Sequence, residues 1–189
     1  MRLLFITSTR IGDAVLSTGL LSHLIETNPG TRVTIACGAV AAPLFEAVPG
    51  LERIIVLSKR RLGLHWWTLW RAAVMRIWDL VVDLRGSALA YLVPHRARLV
   101  FRGDVRPMHR VVQLAEAAGR NPPPTPRLWT APRHEAEAAR LMPSGAPILA
   151  LGPTANWRGK EWPIENFIAL VARLTAEHEI GRASCRERV

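Results

Sequence analysis

The first residues that could do chemistry lie where the opening strand gives way to a helix. Residues 2–7 form an apolar run typical of a buried strand, and residues 14–27 carry leucines at helical spacing. Between them, Gly12 is followed by Asp13. In doubly wound sheets this loop lies at the carboxyl edge of the strands, where ligands bind. Asp13 has two interpretations: a helix N-cap, for which aspartate is preferred, or a carboxylate that takes part in chemistry.

The same loop argues against a dinucleotide cofactor. A Rossmann fingerprint would place G-x-G-x-x-G here, so that backbone amides can approach a pyrophosphate. The loop has one glycine, Gly12, and the adjacent carboxylate would repel phosphate. The two cysteines, Cys37 and Cys185, form neither a metal-ligand cluster nor a disulfide framework. We therefore predict no cofactor and no metal.

A second loop, residues 152–162, again joins a predicted strand to a predicted helix. It contains Arg158 and Lys160, two cations close to the unpaired amides of the helix N-terminus. Amides and cations together suit an anionic group such as a diphosphate. The alternative is a solvated basic loop without a ligand.

A basic and tryptophan-rich segment follows the predicted third strand. Lys59, Arg60 and Arg61 precede a predicted helix over residues 64–78. That helix carries an apolar stripe at helical spacing, made of Trp66, Trp70, Val74 and Ile77. The stripe either packs on the sheet or, with its surrounding cations and an exposed tryptophan, contacts an anionic membrane or lipid phosphates.

The elements that must position these loops alternate between strand and helix. Further strands are predicted over residues 32–37, 51–57, 80–84 and 97–101, and a further helix over residues 109–118. This alternation predicts an α/β fold, a doubly wound parallel sheet covered on both faces. The proline-rich residues 121–126 predict a stiff, extended linker.

The alternation restarts after the linker. Three elements are predicted there, a short helix, a strand and a longer helix, over residues 134–141, 147–151 and 163–177. We therefore predict a first domain over residues 1–143 and the beginning of a second α/β domain over residues 144–179. Residues 180–189 are polar and irregular where the next strand is expected, so we interpret them as a non-native tail.

The charge of the chain favours an anionic partner. Lysine and arginine number 25 against 15 aspartates and glutamates, which gives a net charge of +10 and an isoelectric point near 11.3. Such an excess suits nucleic acid, an acidic membrane face or a phosphorylated substrate. No apolar run reaches the roughly 18–20 residues of a membrane span. We expect a cytoplasmic protein, with or without peripheral attachment to the inner face of the cytoplasmic membrane.

Three sequence pieces, taken in order, resemble family 9 glycosyltransferases, the ADP-heptose:lipopolysaccharide heptosyltransferases. They are residues 12–18 (GDAVLST), 78–87 (WDLVVDLRGS) and 160–167 (KEWPIENF). The likeness extends from residue 1 to about residue 178. The third piece, a K-x-W-P-x-E-x-F element after a strand and loop, is the most specific of the three.

The resemblance implies a GT-B fold, in which two Rossmann-like domains face each other across a cleft without a catalytic metal. It implies transfer of heptose from ADP-heptose to the lipopolysaccharide inner core, with inversion. Asp13 matches the family's general base, and Lys160 its donor-phosphate lysine. Thr154 and Asn156 are further candidate donor contacts, although many members carry a hydroxyl residue where this chain has Asn156. The resemblance also implies that Lys59, Arg60 and Arg61 attract the acidic acceptor.

Two alternatives stay open at this point. One is a GT-B enzyme that uses another nucleotide sugar, because the family's remaining donor-site residues would lie beyond residue 189. For the same reason we expect the chain by itself to be inactive. The other is a non-catalytic basic module that binds nucleic acid or a membrane, although no nucleic-acid recognition motif of the usual kinds is present.

Overall fold

A computed structural model describes residues 1–57, 64–103, 106–142, 148–155 and 158–177 of the chain. The chain divides into two compact units, Met1–Thr130 and Ala131–Val189.

The first unit is built on a parallel sheet. Over the described residues its strands are β1 (Arg2–Ile6), β2 (Arg32–Cys37), β3 (Leu51–Val56), β4 (Trp78–Asp83) and β5 (His95–Val100). Its helices are α1 (Ile11–Thr27), α2 (Leu64–Ala73), α3 (Leu89–Leu92) and α4 (Arg110–Ala117), with a 3-10 turn at Ala42–Phe45. The strand order is β3-β2-β1-β4-β5, and every pairing is parallel. The predicted Rossmann-like α/β sheet is confirmed.

The central strand β1 contributes side chains to two separate cores, because successive side chains of a strand point to opposite faces. Leu3 and Phe5 pack with α1, α4 and the 3-10 turn on one face. Leu4 and Ile6 pack with α2 and α3 on the other. All four side chains are fully buried, and burying each contributes roughly 1.5–3 kcal/mol. The sheet is therefore covered on both faces, as the alternation of elements predicts.

The helix predicted over residues 64–78 is shorter in the structure, because α2 ends at Ala73 and Trp78 begins β4. The Trp78 ring is almost fully buried, and its indole N–H donates to the Ala73 carbonyl at 2.9 Å. The predicted apolar stripe is accordingly wrong in part. Leu69 and Ala73 form the buried face, whereas Ile77 lies beyond the helix and is largely exposed.

The proline-rich segment packs along α1. A Cβ atom on Gly19 would lie only 2.9 Å from the Thr125 carbonyl carbon, so the absence of a side chain permits the contact. The backbone N–H of Arg127 donates to the Thr18 hydroxyl at 2.9 Å, and the Arg127 guanidinium pairs with Glu26 at 3.0 Å. These contacts hold the segment against α1, within the first unit.

The second unit contains α5 (Pro132–Leu141), a 3-10 turn at Arg158–Lys160 and α6 (Ile164–Glu177) among its described residues. The two predicted helices are present. Residues 148–151, most of the strand predicted at 147–151, do not form a strand. A parallel strand needs a neighbouring ladder of hydrogen bonds, and the described residues offer it no partner. The domain boundary expected near residue 144 stays a prediction.

Over the described residues, none of the helices combines the length and the apolar character needed to cross a membrane.

Candidate functional site

The loops after β1, β2 and β4 meet at the carboxyl edge of the sheet. Thr7 N–H donates to the Ala36 carbonyl at 2.9 Å, and Leu84 N–H donates to the Ile6 carbonyl at 2.9 Å. Three adjacent strands thus end side by side, which brings their loops to one edge. Ligands of open α/β sheets bind at this edge.

Gly38, directly after β2, lets two of these loops touch. A Cβ atom at this position would stand 2.6 Å from the Thr9 Cα and 2.8 Å from the Thr9 carbonyl oxygen. Because both are backbone atoms, they cannot rotate away as a flexible side chain could. Glycine is therefore required for the observed approach of the loop after β2 to the loop that leads into α1.

Asp13 lies in the first turn of α1, as its third residue. The N-cap is Arg10, whose side chain makes no capping hydrogen bond, so the interpretation of Asp13 as the N-cap is wrong. The half-buried Asp13 carboxylate accepts a long hydrogen bond, 3.4 Å, from the Ser8 hydroxyl to Oδ2. Among the described residues its other oxygen, Oδ1, has no hydrogen-bond donor. One carboxylate oxygen is therefore left to accept a proton or a hydrogen bond.

A buried hydroxyl pair fixes α1 to the end of β1. Thr7 Oγ1 and Ser17 Oγ lie 2.8 Å apart, and the Ser17 hydroxyl donates to the Ala14 carbonyl at 2.7 Å. Both side chains are about 99% buried, so the pair is shielded from water. This contact positions the first turns of α1, which carry Asp13. Sequence reasoning missed it, since the only signal was two small polar residues in otherwise apolar elements.

Asp83, the last residue of β4, organises the loop that follows it. Its carboxylate is fully buried and accepts hydrogen bonds from the backbone N–H groups of Arg85 and Ser87, at 2.9 and 2.8 Å, and from the Ser87 hydroxyl. Gly86, between these donors, has a φ of 63° that favours glycine. Asp83 pairs in register with Ile6, so this ordered loop borders the end of β1. The pattern Asp-x-x-Gly-Ser is typical of such a side-chain turn and could have predicted it.

An apolar groove of about 650 Å³ lies beside that loop in the first unit. It is lined by Trp67, Trp70, Leu89 and Leu92, together with Arg85 and Ser87. The rings of Trp67 and Trp70 stack with centroids 4.8 Å apart, and the Trp70 indole donates to the Leu92 carbonyl at 3.2 Å. Trp70 is half-buried against the second core, as the packing interpretation predicts, whereas Trp67 is 57% exposed. Contact of this helix with a membrane or with lipid phosphates stays a prediction. The side chain of Trp66 lies outside the described part of the chain.

The second candidate loop, in the second unit, is held by Glu161. Its carboxylate accepts from the Ala155 N–H at 3.4 Å, and its own N–H donates to the Arg158 carbonyl at 3.0 Å. Lys160 and Thr154 are exposed. Over the described residues, Lys160 makes no hydrogen bond or ion pair through its side chain. As far as the described part of the chain goes, the ammonium group can therefore engage an anionic ligand without first breaking an internal contact.

The other predicted site residues, Asn156, Lys59, Arg60 and Arg61, lie outside the described residues. Asp13 belongs to the first unit and Lys160 to the second. Within the described ranges, no group of three or more His, Cys, Asp and Glu side chains is placed to hold a metal.

Several solved structures are similar to this chain. A glycosyl transferase of family 9 from Veillonella parvula aligns with a TM-score of 0.70 at 15% identity, covering 94% of this chain and 60% of that one. E. coli heptosyltransferase WaaC with ADP aligns with a TM-score of 0.66 at 16% identity, covering 94% and 65%. E. coli ADP-heptose lps heptosyltransferase II aligns with a TM-score of 0.66 at 17% identity, covering 94% and 62%.

At such low identity the likeness concerns the fold. The expected resemblance to family 9 glycosyltransferases is confirmed at that level, and the chain spans 60–65% of the length of these structures. No protein-family model and no curated protein matches the sequence.

Proposed function

We propose that this chain carries the acceptor-binding half of an inverting, metal-independent GT-B glycosyltransferase of family 9. The reaction would transfer heptose from ADP-heptose to the inner core of lipopolysaccharide at the inner face of the cytoplasmic membrane. The observation that carries the proposal is Asp13: a half-buried carboxylate with one unoccupied oxygen among the described residues, at the ligand-binding edge of this fold. The similar structures solved with ADP and with an ADP-heptose analogue support a nucleotide-sugar donor.

In the proposed mechanism Asp13 accepts the proton of the acceptor hydroxyl. The oxygen of that hydroxyl attacks the anomeric carbon of the donor at the same time. The new bond to the acceptor oxygen forms as the bond to the diphosphate oxygen breaks, and ADP leaves from the opposite face. A single displacement of this kind inverts the anomeric centre. Thr7, Ser17 and Ser8 would keep the carboxylate in place through the contacts described above.

The donor side of the proposal rests on the loop before α6. Lys160, an exposed cation without an internal partner among the described residues, would neutralise the charge that develops on the leaving diphosphate. Thr154 and Asn156 would add contacts to the donor. We accordingly assign residues 1–143 to the acceptor domain and residues 144–179 to the opening of the donor domain. Lys59, Arg60 and Arg61 would attract the acidic acceptor.

Asp13→Asn in the complete two-domain enzyme tests the proposal. The amide keeps the shape of the side chain but cannot accept the proton, so we expect kcat to fall by about 10²–10⁴-fold. Donor affinity should stay unchanged. Glu135→Gln is the matched control, because Glu135 is also an acidic residue in the first turn of a helix, α5. Undiminished turnover in Asp13→Asn would remove this residue from the mechanism.

The net charge of +10 favours one competing function, a basic module that binds nucleic acid or a membrane surface. Such a module would bind DNA or anionic vesicles with an affinity that falls steeply with salt, and it would transfer no sugar. Titrating the protein with duplex DNA at two salt concentrations, beside the sugar-transfer assay, separates the two functions.

A further inference from the structure

The strand β5 lies at one edge of the sheet and is open along its outer side. It is the last strand in the order β3-β2-β1-β4-β5, and over the described residues it pairs with β4 alone. The Phe101 N–H, directly after β5, donates to the Asp83 carbonyl of β4 at 2.8 Å. Backbone groups alternate in direction along a strand, so the N–H and C=O groups of Arg98 and Val100 point away from β4. These groups can pair with a further strand.

The side chains of β5 leave this edge accessible. None of its six residues is buried, whereas four of the six residues of β4 are. Arg96, Ala97 and Arg98, in the middle of β5, are all exposed. An extended peptide can add to an open edge of this kind, because main-chain hydrogen bonds then supply affinity and side chains supply specificity.

The segment that contains β5, residues 84–103, carries charge of one sign, with four arginines and neither aspartate nor glutamate. Arg96 pairs with a carboxylate of β4 at 3.2 Å. The Arg98 guanidinium lies 4.2 Å from the centre of the Tyr91 ring, and Arg102 donates to the Tyr91 hydroxyl at 2.8 Å. Among the described residues, neither Arg98 nor Arg102 pairs with a carboxylate. The edge would therefore repel a second copy of itself and attract carboxylates.

We propose that β5 binds an acidic, extended segment of a partner protein, which adds to the sheet as a further strand. The open backbone selects a polypeptide, since a lipid headgroup or a nucleic acid lacks the regular N–H and C=O spacing of a strand. The arginines select acidic side chains on that polypeptide. This binding does not depend on the proposed sugar transfer.

The first test compares two peptides of about ten residues, the upper length of ordinary strands, in which threonine alternates with glutamate or with lysine. In calorimetric titration the glutamate peptide should bind at least about tenfold more tightly than the lysine peptide, because opposite charges attract and like charges repel. Equal affinities, or no binding of the glutamate peptide, would refute an acidic partner.

Amide hydrogen exchange measured by NMR separates strand addition from attraction between charges alone. In the free protein the outward N–H groups of Arg98 and Val100 should exchange faster than that of Phe101, which is bonded to β4. Saturating glutamate peptide should slow exchange at Arg98 and Val100 by about tenfold or more and leave the other edge strand, β3, unchanged. Binding without this protection would refute strand addition.

The same two amides identify any other occupant of the edge. Protection of Arg98 and Val100 by duplex DNA or by phosphatidylglycerol vesicles, but not by the glutamate peptide, would overturn the proposal. Protection in a dimer of the free protein would place a second copy on β5 and overturn it as well.

Charge reversal tests the arginines. In the double variant Arg98→Glu and Arg102→Glu the preference should reverse, so that the lysine peptide binds more tightly than the glutamate peptide. The double variant Arg53→Glu and Arg71→Glu is the control, because it changes the net charge equally at two exposed arginines of β3 and α2. It should keep the preference of the parent protein. An unaltered preference in the first variant, with circular dichroism that matches the parent protein, would refute the role of the arginines.

Discussion

Replacing Gly38 by alanine tests how the site is supported. The added methyl group would stand 2.6 Å from the Thr9 Cα and 2.8 Å from the Thr9 carbonyl oxygen. Both distances are far below van der Waals contact, and the obstructing atoms are backbone. The loop that leads into α1 must therefore move, and Ser8 and Asp13 would move with it.

The magnitude follows from the cost of overpacking, about 1–3 kcal/mol for a buried methyl group without space. We expect the free energy of unfolding to fall by that amount in urea denaturation. In the complete enzyme we also expect kcat to fall, since a displacement of about 1 Å in an active site can reduce the rate by roughly 10²-fold. The two effects should appear together, because one backbone shift causes both.

Gly12→Ala is the matched control for stability. A Cβ atom there would meet nothing within 4 Å, and Gly12 lies in the first turn of α1. The change should leave stability unaltered or raise it by about 0.4–1 kcal/mol. If Gly38→Ala were as stable as the parent protein to within about 0.5 kcal/mol, against the 1–3 kcal/mol expected, the close contact between the two loops would be refuted.

Three further predictions concern single side chains. Lys160→Ala in the complete enzyme should weaken ADP binding, measured by calorimetry, by about 1.5–3 kcal/mol, the contribution of a charge-assisted hydrogen bond. Arg140→Ala, which changes another exposed cation, should leave ADP binding unchanged. Equal ADP affinity of Lys160→Ala and the parent protein would exclude Lys160 from the donor site. Asp83→Asn should lower the free energy of unfolding by about 1–3 kcal/mol, because the amide cannot accept from all three donors, and an unchanged urea midpoint would contradict this. Burial raises the pKa of the Cys37 thiol from 9.0 to about 11, so in a Cys185→Ser background iodoacetamide should label Cys37 only after unfolding. The folded protein binds the proton of the Cys37 thiol more tightly than the unfolded chain does, so the contribution of this thiol to stability should be lost as pH rises from about 9 to 11. Labelling of Cys37 in the native protein at neutral pH would contradict its burial.

The sequence by itself determined the arrangement of strands and helices in the first unit. Apolar runs bounded by turn residues predicted β2 at its observed limits and the other strands to within two residues, because burial on both faces of a parallel sheet demands such runs. The three motifs also predicted the family whose fold the chain shares. Local patterns were sufficient here because they record which residues must be buried.

Only the tertiary structure decided which polar groups meet. Helix α2 ends at Ala73, short of its predicted end, because Trp78 is buried in the sheet as the first residue of β4. The tertiary structure made Arg10 rather than Asp13 the N-cap of α1, which leaves one Asp13 oxygen without a donor among the described residues. Gly38 gained its role from the loop after the neighbouring strand β1, which it meets at the Thr9 backbone. Thr9 and Gly38 are far apart in the chain, and helical or strand periodicity carries no information about their contact.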